Sequence, residues 1–264
     1  MKKLNLPHVQ VIFLLVVIAL FLLAFVISMQ ALVKKETEPM YTFEEALERQ
    51  LNNGTEDLRF DEYGYLVPGS PEDIRDAMNV DNRNMFEFIR IDKDTNITAD
   101  EANKLLEGKG ILEGTGKYFI EAETEYDVSA VYLIAHALIE TGNGHSELAK
   151  GITVNDEKYY NFFGIGAFDH AAVKEGSSFA KRGNWNSPER AIKGGAKFIR
   201  DNYLENDQNT LYKMRWNPEN PGTHLYATDI HWAGSIARNM DVFYDELSLQ
   251  PAIKEDHMYK EEAE

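Results

Sequence analysis

The sequence predicts a mainly α-helical protein whose folded part is preceded by a single transmembrane helix. Three observations carry that expectation. The stretch from Val9 to Val33 holds no charge and only three polar side chains, Gln10, Ser28 and Gln30. Further on, Thr42 and Thr98 stand three residues ahead of a Glu, and Ser70 and Ser187 open onto Pro-Glu, which are signatures of helix N-termini. Finally, Val131 to Ile139 is apolar or aromatic at nearly every position, the mark of a helix buried on most sides. With 264 residues, 44% of them hydrophobic, the chain can build one or two domains around a sizeable core.

Charge divides the chain. The formal net charge is −17, yet residues 1–35 hold Lys2, Lys3, Lys34 and Lys35 and no acid, leaving 23 of the 27 basic residues against 44 acids in the rest. An acidic chain makes a poor general nucleic-acid binder, because that affinity comes mostly from Lys and Arg on phosphates. The absence of cysteine excludes disulfides, thiolate zinc sites, cysteine nucleophiles and a lipoprotein anchor.

The apolar run from Val11 to Ile27 would span about 25 Å as a helix, and the whole stretch about 37 Å. A cleaved signal needs small residues at its cleavage site. Ser28 with Gln30, or Met29 with Ala31, does not supply them. Residues 1–35 therefore read as a cytoplasmic tail and uncleaved anchor. The short leading tail and large trailing chain favour a single-pass cell-membrane protein with its C-terminal domain outside, with the bilayer as one partner and a membrane protein reached through the helix as a candidate second.

Residues 36–110 read as a helical region packing on the following domain, 111–250. Thr42 caps a first helix with Glu45 completing a capping box, and Asn52, Asn53 and Gly54 end it. A polar loop leads to Ser70 and Pro71, cap and first position of the next helix. Asp92, Asp94 and Asn96 imitate the start of a calcium loop, but Ile97 occupies the required glycine position and Asn103 the bidentate Glu position. Thr98 to Glu101 is better read as a capping box. Gly114 to Lys117 lacks the glycine spacing of a phosphate loop and is a turn. The tail 251–264 is polar and expected to fray.

The segment 119–144 is the most informative. Asp127 or Ser129 can cap the buried helix, and Thr141 to Gly144 terminates it, which leaves Glu140 in its last turn. Apolar surroundings and the negative end of a helix dipole both disfavour an ionised carboxyl there. A carboxylic acid that keeps its proton is what a general acid in glycoside cleavage requires. A glutamate pointing to solvent at a frayed helix end fits the same pattern. His136, four residues earlier, has no HExxH context or third ligand, so a hydrogen-bonded core histidine accounts for it better than a metal. No G-x-S-x-G elbow supports a serine hydrolase. Tyr159, Tyr160, Phe162 and Phe163, followed by Gly164 and Gly166, suit either a cleft wall that stacks on sugar rings or plain core filling. Ser187 opens a helix in which Gly194 and Gly195 permit close packing. A last helix carries Ile236, Met240, Phe243 and Leu247.

Together AHALIETGNGHSELAKG (135–151), YNFFGIGAFD (160–169), NWNSPERAIKGGAKFIRDNYL (184–204) and LYATDIHWA (225–233) resemble the peptidoglycan endo-β-N-acetylglucosaminidases of glycoside hydrolase family 73. ITADEANKLLEGKGILEGTGKYFIEA (97–122) is similar to the extended form of that family, so the resemblance covers most of residues 41–247. It implies a lysozyme-like helical fold with a long groove and a small β-hairpin flap, and cleavage of the β-1,4 bond between N-acetylglucosamine and N-acetylmuramic acid. It also implies Glu140 as the catalytic glutamate and Tyr226 as an active-site tyrosine. Asn161, Phe162 and Gly164 match the groove-lining NxFGI element, with Tyr160, Phe163, Trp185 and Trp232 beside it as candidate substrate-binding residues. For a second carboxylate, expected on the hairpin, Glu175 is the candidate and Asp169 the alternative. The stretch after Asp169 lacks the usual proline. Either a carboxylate activates water, or the substrate's own 2-acetamido oxygen attacks. A lytic transglycosylase or muramidase shares the implied fold, and a non-catalytic glycan-binding scaffold is the reading of a different class. No metal and no cofactor are implied.

Overall fold

The computed structural model describes residues 38–81, 83–166, 172–255 and 257–262, with positions 15, 17 and 18 ahead of them. The chain separates into two compact units, Met1–Glu38 and Pro39–Glu264. In the first, Leu15, Val17 and Ile18 are helical, and the remainder of the expected span 9–33 lies outside the described residues. No helix among the described residues is long and apolar enough to cross a membrane. This corrects the expected fold class and localisation. The fold that the structure supports is mainly helical with small two-stranded sheets; the membrane-anchored form, its single-pass localisation and its membrane partners are not supported.

The second unit runs α1 (Phe43–Asn52), β1 (Leu58–Phe60), β2 (Leu66–Pro68), α2 (Pro71–Met78), α3 (Ala99–Leu105), α4 (Gly116–Tyr126) and α5 (Ala130–Glu140). It continues through α6 (Glu147–Lys150), β3 (Ile152–Val154), β4 (Glu157–Tyr159), α7 (Ala172–Arg182), α8 (Pro188–Asn202), α9 (Leu211–Trp216) and α10 (Trp232–Glu246). The strands form two antiparallel hairpins. Leu58 faces Pro68 and Phe60 faces Leu66 in the first, and Ile152 faces Tyr159 in the second. Glu175, expected on a hairpin, stands instead in helix α7.

The helices begin where their caps predict. Thr42 and Thr98 close capping boxes on Glu45 and Glu101, and Ser70, with Pro71 behind it, closes a third on Asp73. Of the two candidate caps for α5, Ser129 is the one used, its hydroxyl accepting the Tyr132 N–H at 3.1 Å. Asp127 ends α4 in the left-handed conformation. Between these helices Glu123 is buried, and one of its oxygens accepts N–H groups from Ala130 and Thr95, each at 2.8 Å. That oxygen also takes the Thr95 hydroxyl at 2.7 Å. A single carboxylate thus accepts the orphan N–H of Ala130 at the start of α5 and ties it to Thr95.

Every residue of α5 from Ala130 to Leu138 is buried, and the helix packs against α3, α4 and α10. A smaller apolar cluster joins Leu47 of α1, Met78 of α2, Trp216 of α9, Ile230 and Met258. The last of these corrects the expectation of a fraying tail. Backbone bonds run from Arg90 N to Ile253 O, Glu255 N to Phe88 O and Lys260 N to Tyr41 O, and the Tyr259 hydroxyl lies 2.7 Å from that of Tyr212.

A buried ion pair ties this N-terminal part to the segment ahead of α10. Arg215 is fully buried and its Nη2 donates to Asp57 Oδ1 at 2.6 Å. The same guanidinium donates to the carbonyls of Thr228 and Asp229, both at 2.9 Å. Gln50 adds its amide to both Asp57 oxygens at 3.1 and 2.9 Å. Beside the pair, β1 joins the same segment through Leu58 N to Thr228 O and Ile230 N to Leu58 O. Removing one partner strands a charge in the interior. Asp57→Ala is therefore expected to lower unfolding stability by about 3–5 kcal/mol in urea titrations. A loss within 1 kcal/mol would show that the pair is not the tie between these parts.

Candidate active site

Glu140 is the last residue of a helix buried from Ala130 to Leu138, and there the chain meets a cleft of about 1070 Å³. Its side chain keeps 23% of its surface exposed. The Trp232 indole N–H donates to Glu140 Oε1 at 3.0 Å. Trp232 opens α10, so the end of one packed helix is fixed by the start of another.

Behind this carboxyl lies His136, wholly buried one helical turn back, its Nε2 3.5 Å from the same oxygen. Its Nδ1 is 3.0 Å from the Tyr132 hydroxyl, and the rings of Phe163, Tyr226 and Trp232 stand edge-on around it at 5.4, 4.9 and 5.2 Å. The histidine is a buried polar residue, hydrogen-bonded to Tyr132 behind Glu140. Among the described residues no group of three His, Asp or Glu could hold a metal ion. Tyr226 stacks on Trp232 with centroids 4.9 Å apart and donates its hydroxyl to the Phe163 carbonyl at 2.8 Å. Burial first, then the Tyr132 and Glu140 charges, push the Tyr226 hydroxyl well above its usual pKa. It remains a neutral donor at any physiological pH. Burial likewise lifts Tyr203, on its other side, to about 12.

The loop facing the carboxyl needs two glycines. Gly164 has φ +64°, and a Cβ there would stand 2.5 Å from Glu140 Oε2. Gly195 of α8 leaves room for the Phe163 ring, which would collide with any side chain at that position. Asn161 braces the loop from inside, donating to Ile165 O at 2.8 Å and Gly176 O at 3.3 Å and accepting the Phe163 N–H at 3.3 Å.

The cleft is lined by Glu140, Phe163, Gly164, Glu175, Tyr226 and Trp232 of the residues singled out from the sequence. Asn161, Phe162 and Trp185 are buried away from it, Phe162 in the core and Trp185 against Gly194 and Phe179. Tyr160 packs near Phe162, its N–H donating to Trp185 O. Asp169 lies outside the described residues. Sequence reasoning missed Phe60 and Leu66 of the first hairpin, Tyr203, and His224, which stacks on Tyr203 at 4.8 Å.

One carboxyl oxygen is held by an indole N–H and the other faces a glycine at the cleft wall. Such a group can pass a proton to an oxygen atom bound in the cleft. Gly164→Ala should cut catalytic turnover at least about tenfold, since it both strains the backbone and displaces the carboxyl. Unchanged turnover in a steady-state assay would show that Glu140 does not need this close approach.

Residues 116–245 match the glucosaminidase family, described as mannosyl-glycoprotein endo-beta-N-acetylglucosaminidase. The bifunctional autolysin of Staphylococcus epidermidis is 48% identical over 187 residues, 66% of this chain but only 14% of that protein. A catalytic glutamate-to-alanine mutant of Staphylococcus aureus autolysin E, solved in complex with the disaccharide NAG-NAM, is 45% identical with a TM-score of 0.79. That match covers 85% of this chain and 100% of the other. Staphylococcus aureus glucosaminidase B is 39% identical with a TM-score of 0.62, covering 80% of this chain and 88% of its own. On these matches the chain belongs to the glucosaminidase family of glycoside hydrolases.

Proposed function

We propose that this chain hydrolyses peptidoglycan glycan strands at the β-1,4 bond between N-acetylglucosamine and N-acetylmuramic acid, with Glu140 as general acid. The observation that carries the reading is the Glu140 carboxyl, fixed by Trp232 at the end of a buried helix and open to the cleft. The NAG-NAM disaccharide and the exchanged glutamate of the autolysin E complex support both the substrate and the residue type.

In this reading the glycosidic oxygen enters near Glu140, receives its proton and departs as the leaving sugar. Tyr226 acts as a positioning residue, because its hydroxyl is engaged by the Phe163 carbonyl and its ring supports Trp232. Glu175, which lines the same cleft, is the second carboxylate and activates water for attack from the opposite face. Phe163 and Trp232 are buried and back the cleft wall behind Glu140, while Ile139, exposed at the cleft, offers apolar surface to a sugar ring.

Mass spectrometry of fragments released by the wild-type chain tests the bond. Reducing-end N-acetylglucosamine is expected; reducing-end N-acetylmuramic acid would indicate a muramidase, and an anhydro end a lytic transglycosylase. Glu140→Gln should lower kcat by about 10²–10⁴ without changing the melting curve, and unchanged hydrolysis would remove Glu140 from the mechanism. Proton NMR of the first product separates the two second steps. Inversion at the anomeric carbon is expected with Glu175, whereas retention would assign attack to the substrate's acetamido oxygen.

A further inference from the structure

The first hairpin contributes a feature that the cleavage chemistry leaves unused. Phe60 and Leu66 are directly opposed in the β1–β2 register, so their side chains share one face of the ribbon. Both are large, apolar and open to solvent, 54% and 39% exposed, and both line the cleft that contains Glu140. Thr55 and Glu56 line it beside them. An apolar pair of this size left in water, next to a hydroxyl and a carboxylate, has the chemistry that receives a pyranose ring. Its C–H face lies on the apolar side chains while its hydroxyls bond to the polar ones.

The hairpin is a rigid mount. Asp61 Oδ1 accepts the N–H groups of Tyr63 and Tyr65 at 2.9 and 2.8 Å, which fixes the turn. At its other end β1 is bonded to the Thr228–Ile230 segment, between Tyr226 and Trp232. The Asp57–Arg215 pair locks that same junction. The platform is therefore held in a constant relation to the Glu140 site, and ordering it on binding costs little.

We infer that Phe60 and Leu66 form a sugar-binding platform, continuous with the Glu140 cleft, for a glycan strand extending beyond the cleavage point, which makes the enzyme prefer long strands. The inference rests on the peptidoglycan reading above. The ligand is the glycan itself, and its continuity with the Glu140 cleft selects it over another protein surface.

The test compares kcat/KM of the full chain on peptide-free glycan strands and on short oligosaccharides of the same sugars. Phe60→Ala should lower the long-to-short ratio about five- to tenfold, as expected for losing part of one aromatic side chain's burial. Leu66→Ala should lower it less, and Phe60→Trp should restore it. Equal losses on both substrates, or no change in the ratio, would overturn the inference. A ratio that falls only when stem peptides are attached would also overturn it, assigning the platform to peptide. Titration calorimetry of Glu140→Gln chains with peptide-free strands separates this idea from the activity reading. Should wild type cut neither substrate, weaker binding on adding Phe60→Ala would still support the platform, and unaltered binding would refute it.

Discussion

The burial of α5 governs how its neighbours pack and where Glu140 can stand. From Ala130 to Leu138 no side chain reaches solvent, so the helix has no free face and must be surrounded by α3, α4 and α10. Such a helix can present a charged group only at an end. The N-terminal end is closed by Ser129 and the buried Glu123, and the C-terminal end carries Glu140 into the cleft. The position of the acid follows from packing, and the indole N–H from α10 then sets its orientation.

The remaining walls of the cleft come from parts of the chain far apart in sequence. Phe163 and Gly164 are brought close by the missing side chains at Gly195 and Gly164 itself. Tyr226 and Trp232 belong to the stretch that Arg215 and β1 pull against the N-terminal region. A buried ion pair is weak evidence for stability by itself. Here its three acceptors lie on two distant segments, and that gives it a structural role in holding them together. The N-terminal helices, α9 and Met258 form one small core around this junction, so the region before the matched family segment is part of the same compact unit.

Much of this was legible locally. Thr42, Ser70, Thr98 and Ser187 announced helix starts because capping is decided within four residues. Glu140 stood out because a nearly unbroken apolar helix ended on it. The features that escaped depend on distance. Glu175 was expected on a hairpin because the resemblance places a carboxylate there, yet its segment forms α7, whose described buried positions Gly176, Ser177 and Ala180 are too small to announce a helical face. Phe60 and Leu66 reach the cleft only because Leu58 bonds to residues 228–230, a pairing no local pattern encodes. The tail likewise looked unstructured because its anchoring residues, Met258 and Tyr259, find their partners in Tyr212 and the N-terminal helices.

In the proposed function, Glu140 delivers a proton to the departing oxygen. A leaving group that needs no proton isolates that step. Rates of Glu140→Gln and wild type can be compared on a natural glycan and on one carrying fluoride at the anomeric carbon to be attacked. A loss of about 10²–10⁴ is expected on the glycan and a loss within about tenfold on the fluoride. An equally severe loss on both substrates would contradict it, because Glu140 would then be serving some purpose other than proton donation.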